Sequence, residues 1–257
     1  MNLIVTTERK VRDYNLKLAQ EVSQKYSIEF RPRNQEPIEK MLESVDGIFV
    51  AKKNSLRFVS SQGEIFFHPN LAHVRIKNLN LGLPDRMVEA MQLKSGMTVL
   101  DCTLGLGSDS IVASYVSKNR VIGLESSKVL SIIVEQGLQS FSDESTATVA
   151  AMRRIEVVNQ DHLEFLRSLP RKSFDVVYFD PMFRHPILTS QPMNALRSFT
   201  NPNPLSEEVI DLARNVARHR VVLKENFRSG EFSRLDFGMS MTGKYSSVAY
   251  GFIEIDS

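Results

Sequence analysis

The sequence predicts an α/β protein: a mostly parallel sheet covered on both faces and closed by an antiparallel strand pair, with a small α/β unit in front. Three observations predict it. From about residue 83, short runs rich in Val and Ile alternate with helical patterns, and strands buried on both faces read as such unbroken apolar runs. The first run leads at Asp101 into a two-glycine turn and a helix. The tail, SRLDFGMSMTGKYSSVAYGFIEI, alternates as an antiparallel pair does.

The chain has 257 residues, 42% of them hydrophobic and 24% charged. That is room for one large domain, or one with a small partner. Loop punctuation divides it into a small N-terminal domain over 1–82 and a larger one over 83–257. Cys102 is the single cysteine, so neither a disulfide framework nor a cysteine zinc site is expected, and a reducing cytoplasm fits. The apolar run in MNLIVTTERKVRDY is too short for a signal peptide. No segment approaches the ~18 apolar residues of a membrane span, so no membrane partner is expected. His68 and His73 lack supporting carboxylates, and no metal is expected either. The net charge of +2 hides a split: residues 1–86 hold 14 Lys/Arg against 10 Asp/Glu, residues 87–257 hold 18 against 20. Arg9, Lys10 and Arg12, with Lys52, Lys53 and Arg57, are the basic clusters suited to a phosphate-rich partner.

Taken in order, LIVTT reads as a strand and DYNLKLAQEVSQKY as a helix, with Leu16, Leu18, Val22 and Tyr26 near helical spacing. IEFRP is a strand closed by Pro32, and PIEKMLESV a short helix. GIFVAKKNSLRFVSSQGEIFFHP is broken at Asn-Ser and Gln-Gly, as a hairpin or meander is. PDRMVEAMQL is a helix with Pro84 near its start. Then SGMTVLDCT, RVIGLES, IEVVNQD, FDVVYFD and HRVVLKEN are strands. Between them SIVASYVS, KVLSIIVEQGLQSF, HLEFLRSL and LSEEVIDLARNVA are helices, the last with Ser206 as cap and Glu207 and Glu208 at its positive end.

The turn after the first strand carries chemistry. In VLDCTLGLGSD, Asp101 ends the strand, and Gly105 and Gly107 let the backbone turn sharply and a ligand press against it. Glu125 ends the next strand, where a carboxylate accepts the two hydroxyls of a ribose. A dinucleotide fingerprint needs a third glycine where Ser110 stands. Asp109 at the helix mouth repels a pyrophosphate and suits a ligand with ammonium and sulfonium charges. These residues favour S-adenosylmethionine over a nicotinamide dinucleotide. Asp161 in NQDH is placed to accept from an adenine amino group, to cap the following helix, or both, with His162 beside it. Asp101 reads equally well as a cap for neighbouring amides.

The fourth strand ends in VVYFDPMFRH. A ring-bound amine is a poor nucleophile because its lone pair is delocalised. Asp180 and the carbonyl of Pro181 can accept both of its N–H groups and draw the nitrogen toward tetrahedral geometry. Phe183 offers a face for the base, a contact of ~1–3 kcal/mol. Lys224, at the end of the fifth strand, reads as a phosphate contact or as the partner of Asp180 or Glu225.

DCTLGLGSD, GLESS, VVYFDPMFRH and RVVLKENF resemble the motifs of the small-subunit (16S) rRNA guanine-N2 methyltransferase J family, and FFHPNLAHVRIKN…GLPDRMVEAM resembles the segment preceding them. The likeness covers about residues 60–255. It implies a Rossmann-like class I methyltransferase sheet, S-adenosylmethionine as cofactor, and 16S rRNA or the small ribosomal subunit as partner. By position it implies donor contacts at Ser108, Asp109, Glu125, Ser126, Asp161, His162 and Asp180. The chain departs from that pattern where Ser108 and Ser126 replace arginines, at Glu225 and Asn226, and over SDESTATVAAMRR. The function expected is methyl transfer to an exocyclic base nitrogen in RNA. Another acceptor (tRNA, DNA or a small molecule) and a noncatalytic donor-binding RNA-binding protein are the alternatives.

Overall fold

The computed structural model describes residues 1–142, 145–181, 203–238, 240–242 and 247–256. They pack as two units.

The first unit holds residues 1–68 and 132–142. Strands β1 (Leu3–Thr7), β2 (Glu29–Phe30), β3 (Gly47–Lys52), β4 (Ser55–Ser60) and β5 (Gly63–Phe66) form one sheet in the order β2-β1-β3-β4-β5. The first three run parallel, and β3-β4-β5 is the antiparallel meander the turn residues announce. The Lys53-Asn54 turn places Asn54 at φ 55°, a conformation asparagine tolerates better than most residues. Helix α1 (Asp13–Tyr26) buries Asn15, Ala19 and Val22, one stripe at helical spacing. Helix α2 (Ile38–Met41) buries Ile38 and Met41 in a cluster with Ile4, Ile48 and Val50. The strand expected over IEFRP is only two residues long, because proline at 32 has no N–H for a ladder.

The second unit begins at Pro69. The segment 69–82, grouped with the N-terminal third by loop punctuation, packs here instead, since helix α3 (Asn70–Asn80) lies against helix α5 (Ser108–Ser117). Helix α4 (Arg86–Met91) is capped by Asp85, whose Oδ1 accepts from the amides of Met87 and Val88 at 3.1 and 3.2 Å. Strands β6 (Val99–Asp101), β7 (Val121–Leu124), β8 (Ile155–Val158), β9 (Phe174–Phe179), β10 (Ala217–Asn226), β11 (Ser240–Thr242) and β12 (Val248–Glu254) form a sheet in the order β11-β12-β10-β9-β6-β7-β8. Strands β10 through β8 in that order are parallel, and β12 and β11 are the antiparallel pair. Order reverses at β6: β7 and β8 extend to one side, β9 and β10 to the other. Such a switch point opens a crevice beyond the C-terminal strand ends.

Helix α6 (Lys128–Ser140) follows β7, and helix α7 (Thr146–Arg153) precedes β8. Helices α8 (His162–Ser168), α9 (Glu207–Val216) and the short α10 (Glu231–Arg234) complete the unit. Leu166, Val209, Ile210 and Ala213 bury against Val177, Phe179, Val221 and Leu223 of the sheet. No helix among the described residues is long and apolar enough to cross a membrane.

Candidate methyltransferase site

The strand ends of the second sheet carry two groups of polar side chains. The first surrounds the glycine turn. Asp101 is buried, and its carboxylate accepts from the Thr103 amide at 3.1 Å and the Ser110 hydroxyl at 2.7 Å. Burial pushes its pKa up to about 6, against the pull of those two donors. Gly105 and Gly107 take φ of 52° and 77°, and Gly107 caps α5. A methyl at Gly105 would meet only the Thr103 carbonyl, at 3.9 Å, so the backbone there lies open to a ligand. Gly123 of β7 serves packing: its Cβ would come within 2.5 Å of the Leu104 side chain, so the bare residue lets the turn seat against the strand.

Glu125 follows β7 and holds this turn. Its two oxygens accept from the Gly105 amide at 3.2 Å and the Ser127 amide at 2.8 Å. Burial pushes its pKa up to about 7. Each oxygen keeps a lone pair for a further donor. Asn159 donates to the carbonyls of Glu125 and Ser126 at 2.7 and 3.2 Å, fixing the strand end. Asp161 caps α8 through the Leu163 amide at 2.9 Å. His162 sets its ring edge-on to Phe179, 6.1 Å between centroids, and burial lowers its pKa. Ser108 opens α5.

The second group is a chain of alternating charges. Asp85 accepts from Arg75 at 2.7 and 2.9 Å. Arg75 also donates to Asp109. Asp109 accepts the Tyr178 hydroxyl at 2.7 Å and the Lys224 ammonium at 3.1 Å. Lys224 donates to Asp180 at 2.6 Å. Burial disfavours the charge on Asp109, but the Lys224 and Arg75 cations outweigh it and hold the carboxyl far below its usual range. Burial raises Asp180 to about 7; Lys224 opposes that rise and Asp109 adds to it. Lys224 between two carboxylates stays protonated, its pKa raised despite burial. The Asp180 amide donates to the Thr103 hydroxyl at 2.5 Å, so the fourth strand's end is fastened to the glycine turn.

The structure thus brings Asp101, Gly105, Gly107, Glu125 and Asp180 to one sheet edge. Pro181 follows at once, and Phe183 and His185 lie outside the described residues. The charge expected of Asp109 toward a ligand is already met by Arg75 and Lys224. Lys224 pairs with Asp180, one of its two expected roles, and also with Asp109. Sequence reasoning missed Arg75, Asp85 and Tyr178. The one available signal was Tyr178, a hydroxyl in the apolar run 176–179, two residues before Asp180.

A family described as "Putative SAM-dependent methyltransferase" matches residues 48–247. The chain belongs to the SAM-dependent methyltransferase family. Its cofactor is S-adenosylmethionine, and the open Gly105 backbone beside a carboxylate with spare lone pairs fits such a nucleoside. The methyltransferase is 37% identical to the uncharacterised protein YpiP of Bacillus subtilis over 255 residues, 98% of this chain and 99% of that one. It is 30% identical to ribosomal RNA small subunit methyltransferase J of Coxiella burnetii over 148 residues, about half of each chain at 56%. The fold matches a crystal structure of a SAM-dependent methyltransferase from Neisseria gonorrhoeae with a TM-score of 0.68, at 16% identity, covering 98% of this chain and 95% of that one.

Proposed function

We propose that the enzyme transfers a methyl group to an exocyclic base nitrogen in RNA, guanine N2 of 16S rRNA above all, in the cytoplasm. The observation that carries this is Asp180: a carboxylate at the switch point, oriented by Lys224 and followed by proline. A carboxylate and a neighbouring carbonyl are what an amine on a flat ring needs, and an oxygen or carbon acceptor does not call for the pair. The likeness to methyltransferase J supports RNA as the acceptor.

In this reading Glu125 accepts the ribose hydroxyls, Asp161 the adenine amino group, and Gly105 and Gly107 leave room for the methionine portion. Ser108, Ser126 and His162 line the same edge, and Asp101 holds the turn in shape. S-adenosylmethionine supplies the electrophilic methyl. Asp180 and the Pro181 carbonyl accept the two N–H groups of the amine, turning its lone pair toward that methyl. Phe183 stacks on the base. A nitrogen–carbon bond forms as the sulfur–carbon bond breaks, and the surplus proton on nitrogen passes to Asp180. Catalysis is then placement and desolvation, and a base held in a helix is extruded first. Asp109 acts through Lys224, as a positioning residue.

The test is a comparison of rRNA nucleosides from cells with and without the gene. Loss of one N2-methylguanosine is expected, and an unchanged set of methylated guanines contradicts the assignment.

A further inference from the structure

The first unit carries a charge arrangement that methyl transfer leaves unused. Arg9 follows β1, and Lys52 ends β3. Arg57 lies on β4 opposite Val50, itself opposite Thr6 of β1. Arg33 comes three residues after β2 ends. These cations collect at one end of the sheet, where the parallel strands finish. Asp46 stands at the other end, just before β3 starts.

Arg33 is 7% exposed, and its Nε donates to the Glu36 carbonyl at 3.0 Å. Burial first, then the charges of Arg9 and Arg57, lowers its pKa, with Glu39 the opposing charge. Arg57 gives one nitrogen to both oxygens of Glu64 at 3.1 Å, while its Nε is buried without an acceptor. Among the described residues neither Arg9 nor Arg33 forms an ion pair. Phe66, paired with Arg57 across β4 and β5, is 51% exposed. A cavity of about 190 Å³ opens beside it, lined in part by Lys52, Arg57, Phe66, Phe67 and Phe141.

Like charges held together are costly until an anion joins them, and an exposed ring beside them suits a planar partner. A polynucleotide supplies both, phosphates along its backbone and unstacked bases. We propose that this end of the N-terminal sheet is an RNA-holding surface, with Arg9 and Arg57 taking phosphates, the buried Arg33 adding positive charge beneath them, and the Phe66 cavity taking an unstacked base. The proposal deepens the reading of RNA as acceptor and rests on it.

The test uses the full chain and fluorescence anisotropy with a single-stranded 16S rRNA fragment over a salt series. Arg33 is left intact because it is buried. An Arg9→Ala, Arg57→Ala double variant is expected to bind about tenfold or more weakly, with a shallower slope of log affinity on log salt, since each phosphate contact on a single strand contributes about 0.7. Phe66→Ala is expected to weaken binding at unchanged slope. S-adenosylhomocysteine affinity should hold in every variant, reporting an intact fold. Unchanged RNA affinity and slope in the double variant overturn the proposal. So does competition by inorganic polyphosphate that matches RNA and ignores Phe66→Ala, which marks a general polyanion site. RNA binding lost in the variants, in an enzyme that methylates no RNA, upholds the surface and sinks the acceptor reading. Undiminished RNA methylation by the variants at an unchanged KM does the reverse.

Discussion

In the proposed reading Asp180 takes one N–H of the amine beside its bond from Lys224, which needs the ionised carboxylate, yet its surroundings raise its pKa to about 7. Below that pH it carries a proton and donates instead. The rate of methyl transfer should therefore climb as pH rises through about 7 and level off above. Asp180→Asn should lower kcat by ~100-fold or more while S-adenosylhomocysteine still binds, which calorimetry measures. Lys224 opposes the raised pKa. Lys224→Met should move the rising limb to higher pH and lower stability in denaturant unfolding, because two half-buried carboxylates lose their shared cation. A limb that moves to lower pH would contradict the network. Glu125 is raised to about 7 by burial, and the ribose-holding role proposed for it needs the ionised carboxylate, so S-adenosylhomocysteine should bind more tightly at pH 8 than at pH 6. Sequence position alone exposed Asp101, Glu125 and Asp180, since each ends an apolar strand before a turn. Arg75 and Tyr178 stayed hidden: they meet Asp109 across 34 and 69 residues, and only the folded sheet brings them together.

At the scale of elements, the readable helices were those with one clear apolar stripe or a cap. Ser206 accepts from the Val209 amide at 3.2 Å at the start of α9, as its place before two glutamates announced. Ser206→Ala should cost ~1 kcal/mol and lower the melting temperature by about 2–4 °C, read by thermal unfolding; an unchanged midpoint would remove the cap from the account. Three helices escaped, among them the four-residue α10, which overlaps the start of the tail read as alternating strands. In α3, Leu71 and Val74 are exposed while Ala72 and Ile76 are buried, so apolar residues ring the helix and blur its period. In α7, the buried face is Thr148, Ala151 and Met152, a weak signal in a stretch rich in threonine and alanine. The glycine turn was readable because its residue type is forced by positive φ at Gly105 and Gly107. Ser110 in place of a third glycine also has its reason in the fold, since its hydroxyl satisfies the buried Asp101.

For the whole molecule, strand–helix alternation was enough to foresee a parallel sheet with an antiparallel pair, because both periodicities are local. The packing into units was harder to see. Residues 132–142 pack with the first unit, and no turn or composition shift within KVLSIIVEQGLQSF marks that. In the proposed reading one sheet edge places a methyl donor beside a base amine held by Asp180. The most direct test supplies purified enzyme with methyl-labelled S-adenosylmethionine and small ribosomal subunits from cells lacking the gene, then locates the label by nucleoside digestion. Label in N2-methylguanosine of 16S rRNA, absent with Asp180→Asn, is the predicted result. Label elsewhere than on a base nitrogen, or equal incorporation by Asp180→Asn, would contradict it.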